Sequence, residues 1–349
     1  MSRFRPAVER LDPYVPGEQP PDDAAVVKLN TNENPYPPSP RALEAIRTAD
    51  PDALRRYPQP MADDFRRAAG DALGVDPDWI LAGNGSDDLL TMLFRAVTGP
   101  GRPVAYATPT YVLYRTLAAM QEAPVMEARY DEAYAVPVDT LVAARAALTI
   151  VAHPNSPSGT AATPDELAEL AERTAGVVAV DEAYVAFADH DALDLVRRHD
   201  HVLVLRTLSK GHGLAGLRIG YGVGRPDLLA GLARVKDSYN VDALAARAGA
   251  AAIRDTDYTS RTVARIRASR DRLIARLNEL GCQVWPSQAN FVLVRPPAGD
   301  AGRLHEALRA DGILVRYFAE PGLDDKLRVT VGTDLQHDRL TAALARLIG

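Results

Sequence analysis

The chain has a single cysteine, Cys282, among 349 residues, so no internal disulfide can form and a reducing compartment is expected. No run of about 18 apolar residues occurs, which excludes a membrane-spanning helix. Residues 1–15 carry charges and prolines where a signal peptide would need an apolar stretch, so the expected location is cytoplasmic. Charge of one sign is not concentrated either. With a net charge of −6 and no long basic run, neither nucleic acid nor an anionic membrane is indicated as a partner. No metal site is expected, and no internal repeat or low-complexity segment is present. What remains is 47% hydrophobic and 25% charged, ordinary for a globular protein, and long enough for two structural units.

The first 40 residues are irregular and proline-rich, and read as an extended arm wrapping another part of the fold, with Tyr14, Tyr36 and the asparagines from Asn30 to Asn34 as its anchors. From Asp63 onward helix-like and strand-like stretches alternate. Short, nearly all-apolar runs at 80–82, 103–107, 148–152, 177–180, 201–205 and 219–223 suit strands buried on both faces by crossover helices. Helical spacing appears at 61–73, 87–97, 111–120 and 164–174. The pattern is that of an α/β unit with a mostly parallel sheet. After Pro226 it changes: long helical stretches at 228–236 and 257–280 lead into strand-like runs at 283–285, 291–295, 313–315 and 327–331, a smaller α+β domain. The expected divisions are an arm (1–40), a large domain (41–240) and a small C-terminal domain (241–349).

Lys210 carries the chemistry. In Arg206-Thr-Leu-Ser-Lys210-Gly-His-Gly-Leu-Ala-Gly-Leu-Arg218 it follows an apolar strand and opens a glycine-rich turn, with an arginine eight residues on. A lysine so placed can act as a nucleophile toward a carbonyl and then as a proton carrier. Asp181 closes the apolar run 177–180, at the strand end where parallel sheets bind ligands. Asn155 lies in a turn after another such strand. Gly83-Asn-Gly85-Ser86-Asp87 joins a short strand to a helix, where backbone amides and the helix dipole favour a phosphate; Thr207, Ser209 and Arg218 would add to it. A covalent lysine, a carboxylate for a pyridinium nitrogen and an arginine for a phosphate together describe a pyridoxal phosphate site. The stretch Gly211-His-Gly213-Leu-Ala-Gly216 formally matches a dinucleotide fingerprint, but the next strand begins too soon for the crossover helix that fingerprint needs.

With these residues assembled, the chain resembles the fold-type I pyridoxal-phosphate-dependent aminotransferases, most nearly the histidinol-phosphate aminotransferase subfamily, over nearly its whole length. The resemblance rests on Lys28-Leu-Asn-Thr-Asn-Glu-Asn-Pro-Tyr36, Arg56-Tyr-Pro-Gln-Pro60, Pro109-Thr-Tyr111, Val180-Asp-Glu-Ala-Tyr184, Arg206 to Lys210, Ala215 to Arg218, Ala289-Asn-Phe291 and Leu327-Arg-Val-Thr-Val-Gly332. It implies a large domain with a mostly parallel seven-stranded sheet, and a smaller domain joined by the arm. It implies further that Lys210 anchors the cofactor, Asp181 pairs with the pyridine nitrogen, Asn155 and Tyr184 hold the phenolate oxygen, and Tyr111 stacks on the ring. Gly85, Ser86, Ser209 and Arg218, with help from Thr207, would bind the cofactor phosphate. Tyr57 would reach the phosphate of a neighbouring subunit, which implies a homodimer with shared sites. Arg328 would take the donor's α-carboxylate; Asn34, Tyr36, Tyr239 and Arg316 are candidates for the second substrate. The implied reaction moves an amino group between histidinol phosphate and 2-oxoglutarate; enzymes acting on aromatic amino acids and threonine-phosphate decarboxylases share the scaffold. His212 and Gly213 depart from the family pattern, as does His153-Pro-Asn-Ser-Pro-Ser-Gly159 around Asn155.

Overall fold

The computed structural model describes residues 3–11, 17–21, 25–297 and 299–348; Tyr14 and part of the arm lie outside the described residues. Strands run in chain order as β1 (Val27–Lys28), β2 (Ile80–Gly83), β3 (Val104–Thr108), β4 (Val125–Arg129), β5 (Leu148–Ala152), β6 (Val177–Asp181), β7 (Val202–Thr207), β8 (Gly220–Val223), β9 (Gln283–Val284), β10 (Phe291–Arg295), β11 (Ile313–Leu314), β12 (Arg316–Tyr317) and β13 (Leu327–Thr330).

Seven strands form the large sheet in the order β2-β8-β7-β6-β5-β3-β4. β4, β3, β5, β6 and β7 run parallel, while β8 is antiparallel to both β7 and β2. The apolar runs explain the placement. Along β6 and β7, Val178, Val180, Val202 and Val204 face one core, and Ala179, Leu203 and Leu205 face the other. That alternation is the period of two that a pleated strand imposes, with both faces covered by helices. Each such leucine contributes about 1.5–3 kcal/mol by leaving water. The register brings Ala152, Asp181 and Leu205 abreast at the carboxyl ends of β5, β6 and β7.

β4 was not expected, because Val125-Met-Glu-Ala-Arg129 has no apolar run; as an edge strand it buries only Ala128. Its charges suit an edge, where they discourage pairing with other chains. The helix Ala243–Arg254 was also unforeseen, since its alanines and Gly249 give little periodic contrast. It belongs to the larger core, which takes in Val241, Ala245, Ala250, Ala252 and Ile253. The boundary expected at residue 240 therefore falls inside that packing.

The smaller unit has an antiparallel sheet ordered β12-β13-β10-β9, beside a parallel pair of β1 and β11. The 24-residue helix Thr256–Glu279 lends Leu273 and Leu277 to its core, and the arm lends Val27 and Leu29. The run expected as one strand over 313–315 is divided. Ile313 and Leu314 pair with the arm, and the chain then changes sheets, so Arg316 opens β12 directly opposite Arg328 of β13.

Candidate active site

The carboxyl ends of β5, β6 and β7 open on a cavity of about 250 Å³, lined by side chains of the arm, the large sheet and the small sheet. Asp181 forms its floor. The carboxylate is buried; Oδ2 accepts from the Tyr114 hydroxyl at 2.6 Å and Oδ1 from the Ala183 amide at 3.1 Å. Burial pushes this carboxyl up to about 6 and raises the Tyr114 hydroxyl well above its usual range. A cationic ring nitrogen would replace the missing solvation.

Lys210 follows β7 by three residues, and its Nζ donates to the Thr31 carbonyl of the arm at 3.3 Å. The loop carrying it is held from the same arm: Asn34 Nδ2 donates to the carbonyls of Lys210 (2.9 Å) and Gly211 (3.2 Å). Behind the sheet ends, Arg206 of β7 donates through Nε to Oε2 of Glu182, just past β6 (2.7 Å), and through Nη2 to Asp191 Oδ2 (2.8 Å). Glu182 has no exposed side-chain surface, so removing Arg206 would leave a buried charge unmatched.

An anion cradle stands at another wall. The 12-residue helix Ser86–Val97 starts after Gly85, whose φ of 82° is open chiefly to glycine. A Cβ on Gly85 would lie 2.9 Å from Arg218 Nη2, and one on Gly220 would lie 2.7 Å from the Ser86 amide nitrogen. These glycines keep free the space between a helix N-terminus and a guanidinium. Thr207 donates to Ser209 Oγ at 3.0 Å, and Arg218 reaches the same oxygen at 3.5 Å. Asp87, in the helix's first turn, holds Arg218 Nη2 at 3.1 Å and the Tyr111 hydroxyl at 3.2 Å. The amides, two hydroxyls and guanidinium suit a phosphate monoester. With Lys210 and Asp181 on the same cavity, the residues fit pyridoxal phosphate.

Some expected residues stand elsewhere. Asn155 is buried beside the cavity, not on its wall; its Oδ1 accepts from Thr110 Oγ1 at 2.8 Å, and its Nδ2 donates to Ser158 Oγ at 3.0 Å and the Pro109 carbonyl at 3.2 Å. Its neighbours Pro154 and Ser156 line the space instead. Asn34 is spent on the lysine loop. Tyr36 lies outside the lining, its ring 4.0 Å from the Arg265 guanidinium. Tyr57 and Tyr239 are also outside it: they stack on each other at 4.4 Å and are 80% and 44% exposed. Tyr111 and Tyr184 do line the cavity.

Arg316 and Arg328 line it from adjacent strands and also border a second space of about 470 Å³ that shares Tyr111 and Ser156. Arg328 donates to Ser156 Oγ and to the Asn30 carbonyl, each at 3.0 Å. The Phe318 ring lies 5.4 Å from the Arg316 guanidinium and 5.6 Å from that of Arg328. His212 is half-buried with its Nδ1 out of solvent, and desolvation pulls its imidazole down to about 4. Sequence reasoning passed over the roles of Thr31, Asn32, Asp87 and Tyr114; only the asparagine-rich arm hinted at the first two.

The family model for aminotransferases of class I and II matches residues 24–347. Histidinol-phosphate aminotransferase 1 of Trichormus variabilis is 53% identical over 345 residues, 99% of both chains. Histidinol-phosphate aminotransferase of Rhodopirellula baltica is 44% identical over 347 residues, 99% of this chain and 95% of that one. Among solved structures, histidinol-phosphate aminotransferase from Sinorhizobium meliloti in complex with pyridoxal-5'-phosphate superposes with a TM-score of 0.91 at 28% identity, covering 100% of this chain and 98% of that chain. On the fold, the site and these matches together, the chain belongs to the class I and II aminotransferases.

Proposed function

We propose that this pyridoxal-phosphate-dependent aminotransferase exchanges an amino group between histidinol phosphate and 2-oxoglutarate. The observation that carries the reading is the register of Arg316 on Arg328. Both guanidiniums line the same cavity wall, so a bound anion would meet two planar forks there. Histidinol phosphate carries its anion on the phosphate and 2-oxoglutarate on two carboxylates, and planar guanidiniums bind both kinds of group bidentately.

Pyridoxal phosphate, when bound, supplies an electron sink for the bond broken at the substrate's α-carbon. Lys210 would anchor it and, once released, carry the α-proton; the Thr31 carbonyl is positioned to hold the free amine. Asp181 would keep the ring nitrogen protonated, with Tyr114 fixing the carboxylate's orientation. Gly85, Ser86, Thr207, Ser209 and Arg218 would hold the phosphate, and Tyr111 would flank the ring. Arg328 would take the α-carboxylate of glutamate and Arg316 the phosphate of histidinol phosphate.

The same proposal includes a homodimer in the cytoplasm, in which exposed Tyr57 enters the partner's site. It also includes a division into an arm, a large unit ending near Arg254 and a small unit after it. Among the described residues no helix is long and apolar enough to cross a membrane.

The test is single-turnover reaction of histidinol phosphate, phenylalanine, threonine phosphate and glutamate with the loaded enzyme. Histidinol phosphate and glutamate should react fastest. Faster reaction of phenylalanine would reassign the substrate to the aromatic amino acids, and carbon dioxide release from threonine phosphate would make the enzyme a decarboxylase. Lys210→Ala should lose the borohydride-sensitive visible band; a variant that kept both band and turnover would remove the lysine from its role.

A further inference from the structure

The arm places a buried asparagine against the hydroxyl of Tyr184, a tyrosine that lines the cavity together with Lys210. Asn32 is 1% exposed and sits at φ 55°, a left-handed conformation that asparagine tolerates better than most side chains. Its Nδ2 donates to the Tyr184 hydroxyl oxygen at 3.0 Å. The rest of the residue is fully engaged: its amide nitrogen donates to Thr330 Oγ1 at 2.9 Å, its Oδ1 accepts from that hydroxyl at 3.1 Å, and its carbonyl accepts from Asn290 Nδ2 at 2.9 Å.

This circuit fixes which end of the side-chain amide faces Tyr184. Thr330 Oγ1 already accepts the Asn32 N–H, and its own proton goes to Asn32 Oδ1. Turning the amide over would leave that buried hydroxyl proton without an acceptor among the described residues, a cost of about 1–3 kcal/mol. The nitrogen therefore faces Tyr184. A phenol whose oxygen accepts one hydrogen bond must send its own proton elsewhere. Among the described residues the Tyr184 hydroxyl donates to no protein group, and its ring lines the cavity 5.8 Å from Lys210 Nζ, packed edge-on against Phe291 at 4.9 Å.

We propose that Asn32 is a positioning residue, which makes the Tyr184 hydroxyl an obligatory donor into the cavity, aimed at the oxygen anion of the bound cofactor. The inference rests on the reading that pyridoxal phosphate binds there. Because Thr330, Asn290 and the arm belong to the small unit's packing while Tyr184 lies just past the end of β6 in the large unit, the arm carries the small unit's position to the cofactor's donor.

The experiment is a pH titration of the visible absorbance of the cofactor-loaded protein in a double-mutant cycle. A donor to the phenolate oxygen is worth most when that oxygen carries its full charge, after the neighbouring nitrogen joined to Lys210 has lost its proton. Removing the donor therefore raises the pH midpoint. Asn32→Ala and Tyr184→Phe should each raise it by about one pH unit, the size expected of one charge-assisted hydrogen bond. Added to Tyr184→Phe, Asn32→Ala should shift it no further, because contacting residues acting through one another are not additive. The charged groups around the cavity, Asp87, Asp181, Lys210, Arg218, Arg316 and Arg328, with Glu33 of the arm, are unchanged in all four proteins. If Asn32→Ala does not fold, Asn32→Asp keeps size and backbone preference while offering an acceptor, and should shift the midpoint more with Tyr184 present than in the Y184F background. No shift, or an equal shift in both backgrounds, would overturn the proposal and leave Asn32 a structural knot. A wild-type protein with no titrating visible band would overturn the cofactor reading itself, a different and separately visible failure.

Discussion

Tyr114 and Asp181 share a 2.6 Å hydrogen bond in which both partners are buried, at the end of β6 where the cavity begins. The hydroxyl compensates the carboxylate only in part, and desolvation still lifts Asp181 to about 6 from its ordinary 3.8. An acid raised in the folded state binds more protons there than in the unfolded chain between these two values. Cofactor-free protein should thus lose stability as pH rises from about 4 to 6, by up to roughly 3 kcal/mol.

Asp181→Asn should separate this cost from the catalytic role. Without cofactor, the variant should resist urea better than the wild type at pH 8, with the gap closing toward pH 4. Loaded with cofactor, it should lose roughly two orders of magnitude or more in turnover, the scale of removing one preorganised electrostatic contact. Equal urea midpoints at every pH would show that Asp181 is not strained by burial. Undiminished turnover would take it out of the site.

The histidines work in the opposite sense. Burial pulls His153, His212 and His337 down to about 4, so all three fold neutral. His337 Nε2 accepts the Gly332 amide proton at 2.8 Å, a bond that protonation abolishes. A base depressed in the folded state contributes stability above its unfolded value of 6.5, and that contribution is lost as pH falls toward 4. Unfolding monitored by circular dichroism should show steep destabilisation across this window. His337→Gln should flatten the dependence by up to about 3 kcal/mol. An unchanged slope would place the acid sensitivity elsewhere.

What could be read from the sequence tracks how local the physical cause is. β5, β6 and β7 announce themselves as apolar runs, and Asp181 and Lys210 lie just where those runs stop. The cradle is legible for the same reason: Gly85 and Ser86 join a strand to a helix within a few residues. β4 and the helix Ala243–Arg254 are set by tertiary packing, one as a charged edge and the other as a small-residue contact, and neither leaves a strong period. Arg316 was placed at a strand end, yet its meaning depends on pairing with Arg328, which only the change of sheet at Val315 creates. Asn34 and Asn155 look alike as polar turn residues; their partners across the fold, the Lys210 carbonyl and Thr110, decide what each one does.

The paired arginines should divide the two half-reactions. Arg316→Ala should weaken histidinol phosphate by roughly 1.5–3 kcal/mol while leaving glutamate nearly unchanged, since a hydrogen bond to a charged group is of that size. Arg328→Ala should weaken both, glutamate through its α-carboxylate and histidinol phosphate through a phosphate that lies against the wall the two guanidiniums share. Arg316→Lys should recover little, as a point charge lacks the fork. Equal losses on both substrates from Arg316→Ala would mean that the two guanidiniums act as one site.

Tyr57 decides the assembly. A ring that is 80% exposed and stacked on Tyr239 does not line its own chain's cavity. If it completes the partner's site, Lys210→Ala and Tyr57→Ala homodimers should both be nearly inactive. Exchange of subunits between them should restore activity. In a random mixture half of the dimers are mixed, and each mixed dimer has one site with both residues intact, so about a quarter of the wild-type activity should return. The measurement is turnover before and after mixing, with sedimentation to verify exchange. A fully active monomer, or no recovery in a mixture shown to have exchanged, would exclude a shared site and leave the Tyr57–Tyr239 stack as surface packing.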